Sequence, residues 1–205
     1  FMDELPEFPS SVLEVLRQPL EDKKISVSRV NGAAEFPADF TLIAAMNPCP
    51  CGYYRVPHAK KPCTCSAMQI QKYQKKISGP FMDRIDLYTN VSPVEFDKLY
   101  SDELAESSAS IRARIIKGRI IQQTRFQNEK ISTNSQMSTQ LCKKYCALPP
   151  EAETLLRQAV DRFNLSARAY YRILKVARTI ADLAGKENIS SSDLAEAIHY
   201  RPHQA

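Results

Sequence analysis

The chain has 205 residues with 28 basic and 23 acidic side chains, a formal net charge of +5 and 43% hydrophobic residues, ordinary values for one medium folded domain or two small ones. Two classes are excluded, because six cysteines are too few for a disulfide-rich secreted scaffold and no apolar stretch approaches the roughly 20 residues of a membrane-spanning helix. A cytoplasmic protein is predicted, and its mild positive charge is compatible with a polyanionic partner without requiring one.

Residues 1–95 predict an α/β layer, a partial parallel sheet with flanking helices. The run Phe40–Met46 is almost continuously apolar, which is typical of a strand buried on both faces of a mostly parallel sheet. The dipeptide Asn31-Gly32 predicts a hairpin turn. The predicted elements are, in order, a strand ending at Phe1-Met2, a helix that starts near Pro9 and closes or kinks at Pro19, a hairpin over 24–36, the strand Phe40–Met46, a loop over 48–66, a helix over Ala67–Ile77 and a strand over Ile85–Val91.

The rest of the chain predicts helices. Residues 96–138 are predicted to be a connecting helix, Ser107–Phe126, and a polar linker, and residues 139–205 a small helical bundle. The basic side chains of the connecting helix are expected on a solvated or intersubunit face: Arg112, Arg114, Lys117, Arg119 and Arg125. Cys142 and Cys146 lie one helical turn apart and are predicted to be two small buried residues.

The acidic pair Asp3-Glu4 directly follows the short apolar run Phe1-Met2. Two acidic residues at the end of a strand are one arrangement that can catalyse nucleotide hydrolysis. The first carboxylate can help hold Mg²⁺ on the phosphates, and the second can orient and polarise the attacking water. The competing interpretation is a solvated strand end.

Two further polar residues extend this pattern. Asn47 ends the apolar run, where its amide can hydrogen-bond a terminal phosphate and the water together; the alternative is a turn residue before Pro48. Arg84 precedes the next predicted strand and can offer its guanidinium to a neighbouring subunit's nucleotide; the alternative is a salt bridge with Asp83 or Asp86.

Arg168 stands near the start of a helix in the predicted bundle, where the alternative is a solvated basic face that also includes Arg172, Lys175 and Arg178. The order of an acidic pair, an asparagine at a strand end, an arginine before a strand and an arginine on a bundle helix is more specific than any one member. It resembles the AAA+ ATPases, and more closely their magnesium-chelatase-like branch, in its ComM-like or YifB-type group. The resemblance covers essentially the whole chain through the segments MDELPEF, LRQPLED, AAMNPCPCGY, SGPFMDRIDL and LSARAYYRILKVARTIADL.

The resemblance implies an α/β AAA+ core followed by a small all-α lid, and a role for each matching residue. Asp3 and Glu4 would form the Walker B pair, with Asp3 on Mg²⁺ and Glu4 activating water. Asn47 would be sensor 1, Arg84 the arginine finger, and Arg168 the sensor 2 arginine that contacts ATP. ATP and Mg²⁺ are the implied cofactors, and hydrolysis would occur between neighbouring subunits of a ring.

The family's phosphate-binding loop, with its lysine and its serine or threonine, lies before the Walker B strand, whereas nothing precedes Phe1 here. The five glycines are too dispersed to build such a loop elsewhere. We therefore expect a C-terminal fragment of a longer ATPase, and we expect this fragment alone neither to hydrolyse ATP nor to bind it tightly.

Four cysteines lie in two short pairs, Cys49-Pro-Cys51 and Cys63-Thr-Cys65, around a proline-rich basic loop. Four thiolates make a closed tetrahedral zinc site, and zinc would explain how an irregular loop keeps its shape. Free thiols, an iron-sulfur cluster, disulfides and a ligand role for His58 stay open as alternatives. In a ring pore the basic side chains of the loop could reach nucleic-acid phosphates, with plain surface charge as the alternative: Arg55, His58, Lys60 and Lys61.

The predicted function is ATP hydrolysis coupled to DNA remodelling or translocation, which the ComM-like resemblance extends to branch migration in transformation. A first alternative is a magnesium-chelatase-like motor for metal insertion or protein remodelling. A second alternative is a non-catalytic interaction module held together by zinc. The predicted partners are further copies of the same protein in a ring and DNA, without a membrane.

Overall fold

The computed structural model describes residues 1–29, 32–56, 61–93 and 105–201. The chain divides into two compact units: the first comprises Phe1–Ile85 and Asn90–Leu99, and the second comprises Asp86–Thr89 and Tyr100–Ala205. The structure mixes helices with β-structure, as predicted at that level. The predicted division into three parts, residues 1–95, 96–138 and 139–205, stays a prediction.

A two-stranded antiparallel hairpin in the first unit consists of β1 (Lys24–Arg29) and β2 (Gly32–Pro37). The hairpin prediction is confirmed, but the register pairs Arg29 with Gly32, so that Gly32 is the first residue of β2 instead of a turn residue. The other predicted turn residue, Asn31, lies outside the described residues. Both strands are exposed along their whole length.

The predicted strand Phe40–Met46 is an extended segment with a single parallel bridge, between Met2 and Ala44. Three backbone hydrogen bonds join the two segments: Met2 N–H to the Ile43 carbonyl at 2.8 Å, Ala45 N–H to the Met2 carbonyl at 2.9 Å, and Leu5 N–H to the Ala45 carbonyl at 2.9 Å. The parallel direction agrees with the prediction, but no ladder within the described ranges extends it into a parallel sheet. Burial on both faces was a wrong expectation, since Ile43 is 61% exposed.

The predicted strand Ile85–Val91 is wrong. The segment carries neither strand nor helix, although Tyr88 N–H donates to the carbonyl of Tyr200 at 2.8 Å. Val91 is 88% exposed. Alternation of apolar and polar residues produces a strand only where a neighbouring strand completes a ladder, and an isolated bond does not supply one.

The helices of the first unit are short: a 3₁₀ turn Leu5–Glu7, α1 (Ser10–Val15), α2 (Arg17–Asp22), α3 (Ala67–Gln74) and α4 (Gly79–Met82). The predicted break near Pro19 occurs at Leu16, and Pro19 lies in the first turn of α2, where its missing N–H removes no helical hydrogen bond. The helix predicted over Ala67–Ile77 is confirmed as α3 and ends three residues earlier.

The apolar core of the first unit joins the start of the chain to α1 and α4 through Leu5, Leu13, Ile77 and Phe81. Each such burial contributes about 1.5–3 kcal/mol. The core thereby fixes the residue after the acidic pair and the helix that precedes Arg84.

The second unit contains α5 (Ser108–Arg125), a 3₁₀ turn Asn134–Gln136, α6 (Thr139–Tyr145), α7 (Pro150–Phe163), α8 (Ala167–Leu183) and α9 (Ser191–His199). In α8 the buried apolar residues Ile173, Leu174, Ala177 and Ala181 follow helical spacing, as predicted. Cys142 and Cys146 are both buried, which confirms that expectation. Within the described residues no helix is both long and apolar enough to cross a membrane.

Asp182 is the centre of a buried polar network in the second unit. It accepts hydrogen bonds from Arg125 at 2.7 Å, Arg178 at 3.0 Å and Asn134 at 2.8 Å. Arg178, only 3% exposed, also donates to two backbone carbonyls at 2.8 Å. A solvated basic face is therefore wrong for Arg125 and Arg178, because both guanidiniums compensate a buried carboxylate.

Candidate functional site

The acidic pair, Asp3 and Glu4, is exposed to solvent immediately after the parallel bridge. Glu4 has φ +50° and ψ +47°, the left-handed conformation, and it precedes the 3₁₀ turn Leu5–Glu7. Its N–H donates to Oδ1 of Asp3 at 2.9 Å. A left-handed backbone costs a residue with a side chain about 1–2 kcal/mol, and such costs concentrate at functional sites.

Asn47 follows the extended segment that lies beside the acidic pair. Because Leu5 N–H is bonded to the carbonyl of Ala45, two hydrogen-bonded parallel segments bring the acidic pair and Asn47 to the same end. Asn47 is exposed, and a Cβ placed on Gly52 would lie 3.9 Å from its side-chain amide. Gly52 takes φ +84°, a backbone conformation that favours glycine, and the 3.9 Å separation is ordinary van der Waals contact.

Tyr73 of α3 is a buried residue of the first unit that its sequence did not single out. It is 8% exposed. Burial raises the pKa of Tyr73, and the negative charges of Glu7, Cys49 and Glu4 raise it further. Tyr73 is thus within electrostatic range of both the acidic pair and the first cysteine.

Arg84 is bound within the first unit. Its guanidinium lies 2.7 Å from the carboxylate of Glu21 and donates to the carbonyls of Arg17 at 3.2 Å and Pro80 at 2.6 Å. The predicted alternative, an ion pair with a neighbouring aspartate in the chain, is replaced by this contact with α2.

Arg168 lies exposed in the first turn of α8, in the second unit. Ser166 caps that turn, accepting a hydrogen bond from Ala169 N–H at 3.2 Å. The neighbouring Arg172 forms an ion pair with Asp86 at 3.1 Å. Within the first unit, the structure brings the acidic pair and Asn47 to the same end of two parallel segments.

The thiolate cluster, defined here as Cys49, Cys51, Cys63 and Cys65, converges on one point. Its four sulfur atoms all lie within 4.8 Å of one another, and three of the separations are 3.4, 3.5 and 3.8 Å. Zinc–sulfur bonds of about 2.3 Å in a tetrahedron require sulfur–sulfur edges of about 3.8 Å. A disulfide would need about 2.05 Å, so these cysteines are not paired.

The surroundings of the cluster favour the thiolate at Cys51 and the neutral thiol at Cys63 and Cys65. Backbone hydrogen bonds from Tyr53 and Thr64 lower the pKa of Cys51 to about 5, whereas burial raises the pKa of Cys65 to about 12. Tyr54 N–H donates to Sγ of Cys49 at 3.4 Å. This donor set can hold a metal ion such as zinc.

The basic loop between the two cysteine pairs is described only in part. His58 and Lys60 lie outside the described residues. The guanidinium of Arg55 lies 5.2 Å from the ring centre of Tyr54, and Lys61 is exposed.

The sequence of the chain is similar to known proteins along nearly its whole length. The family model for magnesium chelatase, subunit ChlI, matches residues 1–99, and the model for the C-terminal part of the same subunit matches residues 105–201. The chain belongs to the magnesium-chelatase-like family. It is 43% identical over 202 residues to competence protein ComM of Haemophilus influenzae, and 37% identical over 203 residues to the uncharacterized protein YifB of both Salmonella typhimurium and Escherichia coli. Each alignment covers 98% of this chain and 38% of the relative.

Membership of the magnesium-chelatase-like family confirms the resemblance seen in the sequence. The matches extend through both units, and the first includes the acidic pair, Asn47, the thiolate cluster and Arg84. Sequence reasoning missed Tyr73, whose apolar spacing with Ile70 on α3 indicates only a core position, and Glu21, which lies far from Arg84 in the chain.

Proposed function

We propose that this chain supplies the water-activating part of an ATP-hydrolysing site in a ring-forming magnesium-chelatase-like ATPase, and that hydrolysis drives DNA remodelling or translocation. The observation that carries the proposal is the position of the acidic pair and Asn47 at the same end of two hydrogen-bonded parallel segments. A neutral amide beside an acidic pair can hydrogen-bond the terminal phosphate and the attacking water while the carboxylates hold Mg²⁺ and that water.

Each residue has a proposed role. Asp3 helps to hold Mg²⁺, which neutralises charge on the phosphates, and Glu4 orients and polarises the attacking water. Asn47 hydrogen-bonds the terminal phosphate and that water. Arg84 enters from the neighbouring subunit and stabilises charge on the transferring phosphoryl group, and Arg168 contacts the nucleotide.

The part in DNA remodelling is supported by the similarity to the competence protein of H. influenzae and by the net positive charge. The family models, which are those of a magnesium chelatase subunit, favour a second candidate, a motor for metal insertion. The chain spans about two fifths of the length of these relatives, so the test requires the full-length protein.

We further propose that the thiolate cluster binds one structural Zn²⁺. All four positions would be occupied by thiolates, which leaves no open coordination position for catalysis. The ion would hold the loop between the cysteine pairs at the start of α3.

The deciding experiment measures ATP hydrolysis by the full-length protein with and without single-stranded and forked DNA, alongside Glu4→Gln. Glu7→Gln is the matched control, because Glu7 is an exposed acid in the adjacent turn that pairs with Lys76 at 3.2 Å. We expect stimulation by DNA, loss of turnover in Glu4→Gln and retention in Glu7→Gln. Hydrolysis indifferent to DNA would favour the metal-insertion motor, and no hydrolysis by a folded protein would leave a non-catalytic interaction module.

A further inference from the structure

The guanidinium of Arg84 is bound on all three of its nitrogen atoms by the first unit. Nε donates to the carbonyl of Arg17 at 3.2 Å, Nη1 donates to the carbonyl of Pro80 at 2.6 Å, and Nη2 lies 2.7 Å from Oε2 of Glu21. Two of these partners are neutral carbonyls, and Glu21 supplies the negative charge. A phosphate that approaches the guanidinium therefore competes with the Glu21 carboxylate for the same cation.

The ion pair between Arg84 and Glu21 is less exposed than the other ion pairs described in the first unit. Its side chains are 14% and 29% exposed, whereas every side chain in the other pairs that the structure describes there is at least 34% exposed. Water and salt screen exposed ion pairs, which makes them weak, and they screen a partly buried pair less. The Glu21 carboxylate is thus able to hold the guanidinium in one position.

The backbone that carries Arg84 is held independently of this ion pair. Ser78, the N-cap of α4, accepts a hydrogen bond from Phe81 N–H at 3.3 Å and donates from its hydroxyl to Glu14 of α1 at 2.6 Å. The ring of Phe81 is buried in the apolar core of the first unit. Loss of the Glu21 charge would therefore free the Arg84 side chain while α4 stays in place.

We propose that Glu21 is a positioning residue that holds Arg84 on its own unit and thereby sets how readily this arginine reaches the nucleotide of a neighbouring subunit. This inference rests on the proposed role of Arg84 in ATP hydrolysis. Glu21 touches neither phosphate nor water and acts through the guanidinium. A triphosphate in the neighbouring site displaces the Glu21 carboxylate, because its terminal phosphate offers several charged oxygen acceptors, and an empty neighbouring site leaves the ion pair closed.

Chemical labelling measures how firmly Glu21 holds Arg84. Phenylglyoxal modifies accessible guanidiniums, and mass spectrometry of the nucleotide-free, full-length protein gives the labelled fraction of Arg84. Glu21→Gln keeps the shape of the side chain and removes its charge. Glu35→Gln, which changes an exposed acid that pairs with Lys24 at 2.8 Å, is the matched control. We expect the labelling rate of Arg84 to rise about fivefold in Glu21→Gln, since a neutral acceptor binds a guanidinium less tightly, and to stay unchanged in Glu35→Gln.

The kinetic test asks whether release of Arg84 matters for turnover. We expect kcat/KM for ATP to rise about threefold in Glu21→Gln, because Arg84 no longer has to leave a charged partner before it stabilises the transition state. A merely structural role of Glu21 would lower kcat/KM or leave it unchanged. On an Arg84→Ala background the same substitution should have no effect, since the residue through which Glu21 acts is gone.

Three results would overturn the inference. Labelling of Arg84 that does not rise in Glu21→Gln does so whatever the ATPase result. Raised labelling with an unchanged or lower kcat/KM does so as well, because release of Arg84 would then not limit the reaction. A gain in kcat/KM that persists with Arg84→Ala is the third. An unmodified protein that hydrolyses no ATP contradicts the proposed function instead, and the labelling then decides whether Glu21 holds Arg84.

Discussion

Nη2 of Arg84 lies 2.7 Å from Oε2 of Glu21, so the arginine proposed to serve a neighbouring subunit is bound to an acid of its own unit. The Arg84 side chain is 14% exposed and the Glu21 side chain 29%. A role in a neighbour's site requires the phosphate to replace this carboxylate as the partner of the guanidinium. Phosphate is a suitable competitor because it accepts the same charge-assisted hydrogen bonds from a guanidinium as a carboxylate does.

Mixing two inactive variants tests whether Arg84 acts between subunits. Glu4→Gln and Arg84→Ala should each lower kcat about 10³-fold or more alone, and a mixture of the two should regain part of the activity. An Arg84→Ala subunit retains Glu4, and its Glu4→Gln neighbour can still provide Arg84. Arg29→Ala, an exposed arginine in β1, is the control that should keep full activity alone. A mixture that stays inactive although mixed rings form would contradict a role between subunits.

Metal analysis distinguishes zinc from the alternatives at the thiolate cluster. We expect one zinc ion per chain in the purified protein, lost when Cys49 or Cys63 is replaced by serine. Cys142→Ser and Cys146→Ser are the matched controls, since these buried cysteines lie in the second unit, and both should retain the ion. Two results would rule out the zinc site. The first is iron together with the visible absorption of an iron-sulfur cluster. The second is a protein that contains one zinc ion per chain although all four thiols of the cluster still react freely with a thiol reagent.

Short spacing explains which parts of the site could be predicted. Two Cys-x-Cys pairs, an acidic pair after an apolar run and Asn47 at the end of the next run are local patterns that constrain chemistry by themselves. The sequence does not show that the two apolar runs lie side by side. The structure shows this through the parallel bridge between Met2 and Ala44. Tyr73 could not be found this way, because a tyrosine at helical spacing is ordinarily a core residue.

The wrong predictions concern segments and side chains whose structure depends on partners that the local sequence pattern does not show. The alternation in Ile85–Val91 is typical of a strand, yet in the described residues no neighbouring strand pairs with it. Arg178 fits a solvated helix face by its charge alone; its burial depends on Asp182, four residues along the same helix, and on Arg125 and Asn134 from other parts of the second unit. Hydrophobic periodicity predicts which face of a helix a residue occupies. It does not predict which partner neutralises the charge of a buried residue.

Removing the acid from this buried network should destabilise the second unit strongly. Asp182→Ala leaves two guanidiniums and the amide of Asn134 without their acceptor, and loss of one partner from a buried ion pair costs about 3–5 kcal/mol. Asp161→Ala, an exposed acid on α7, is the control and should cost less than about 0.5 kcal/mol. Urea unfolding followed by circular dichroism measures both. Equal stability of the two variants would show that the network contributes nothing beyond packing.

Two buried thiols, Cys142 in α6 and Cys146 at the C-cap of that helix, predict a pH dependence of stability. A hydrogen bond from the Cys146 thiol lowers the pKa of Cys142 to about 7, with burial opposing the shift and the charge of Lys175 assisting it. Because the folded state favours the thiolate relative to an unfolded pKa of 9.0, the free energy of unfolding should rise between pH 7 and pH 9. This contribution is lost as the pH falls through 7. Above pH 9 it is opposed by Cys146, because its hydrogen bond to Cys142 raises the pKa of the folded thiol, so that only the unfolded thiol ionises there. The contribution of Cys142 is at most about 3 kcal/mol.

Variants of Cys142 and Cys146 show which thiol causes the rise of the unfolding free energy with pH. Cys142→Ala should remove the rise between pH 6.5 and 8.5, and Cys146→Ala should reduce it, because the thiol that stabilises the Cys142 thiolate is gone. Lys143→Ala changes an exposed neighbour on the same helix and should leave the slope intact. Urea unfolding under reducing conditions at the two pH values gives the comparison. A slope that survives in Cys142→Ala would place the titrating group elsewhere, and Cys142 would then be a neutral packed thiol.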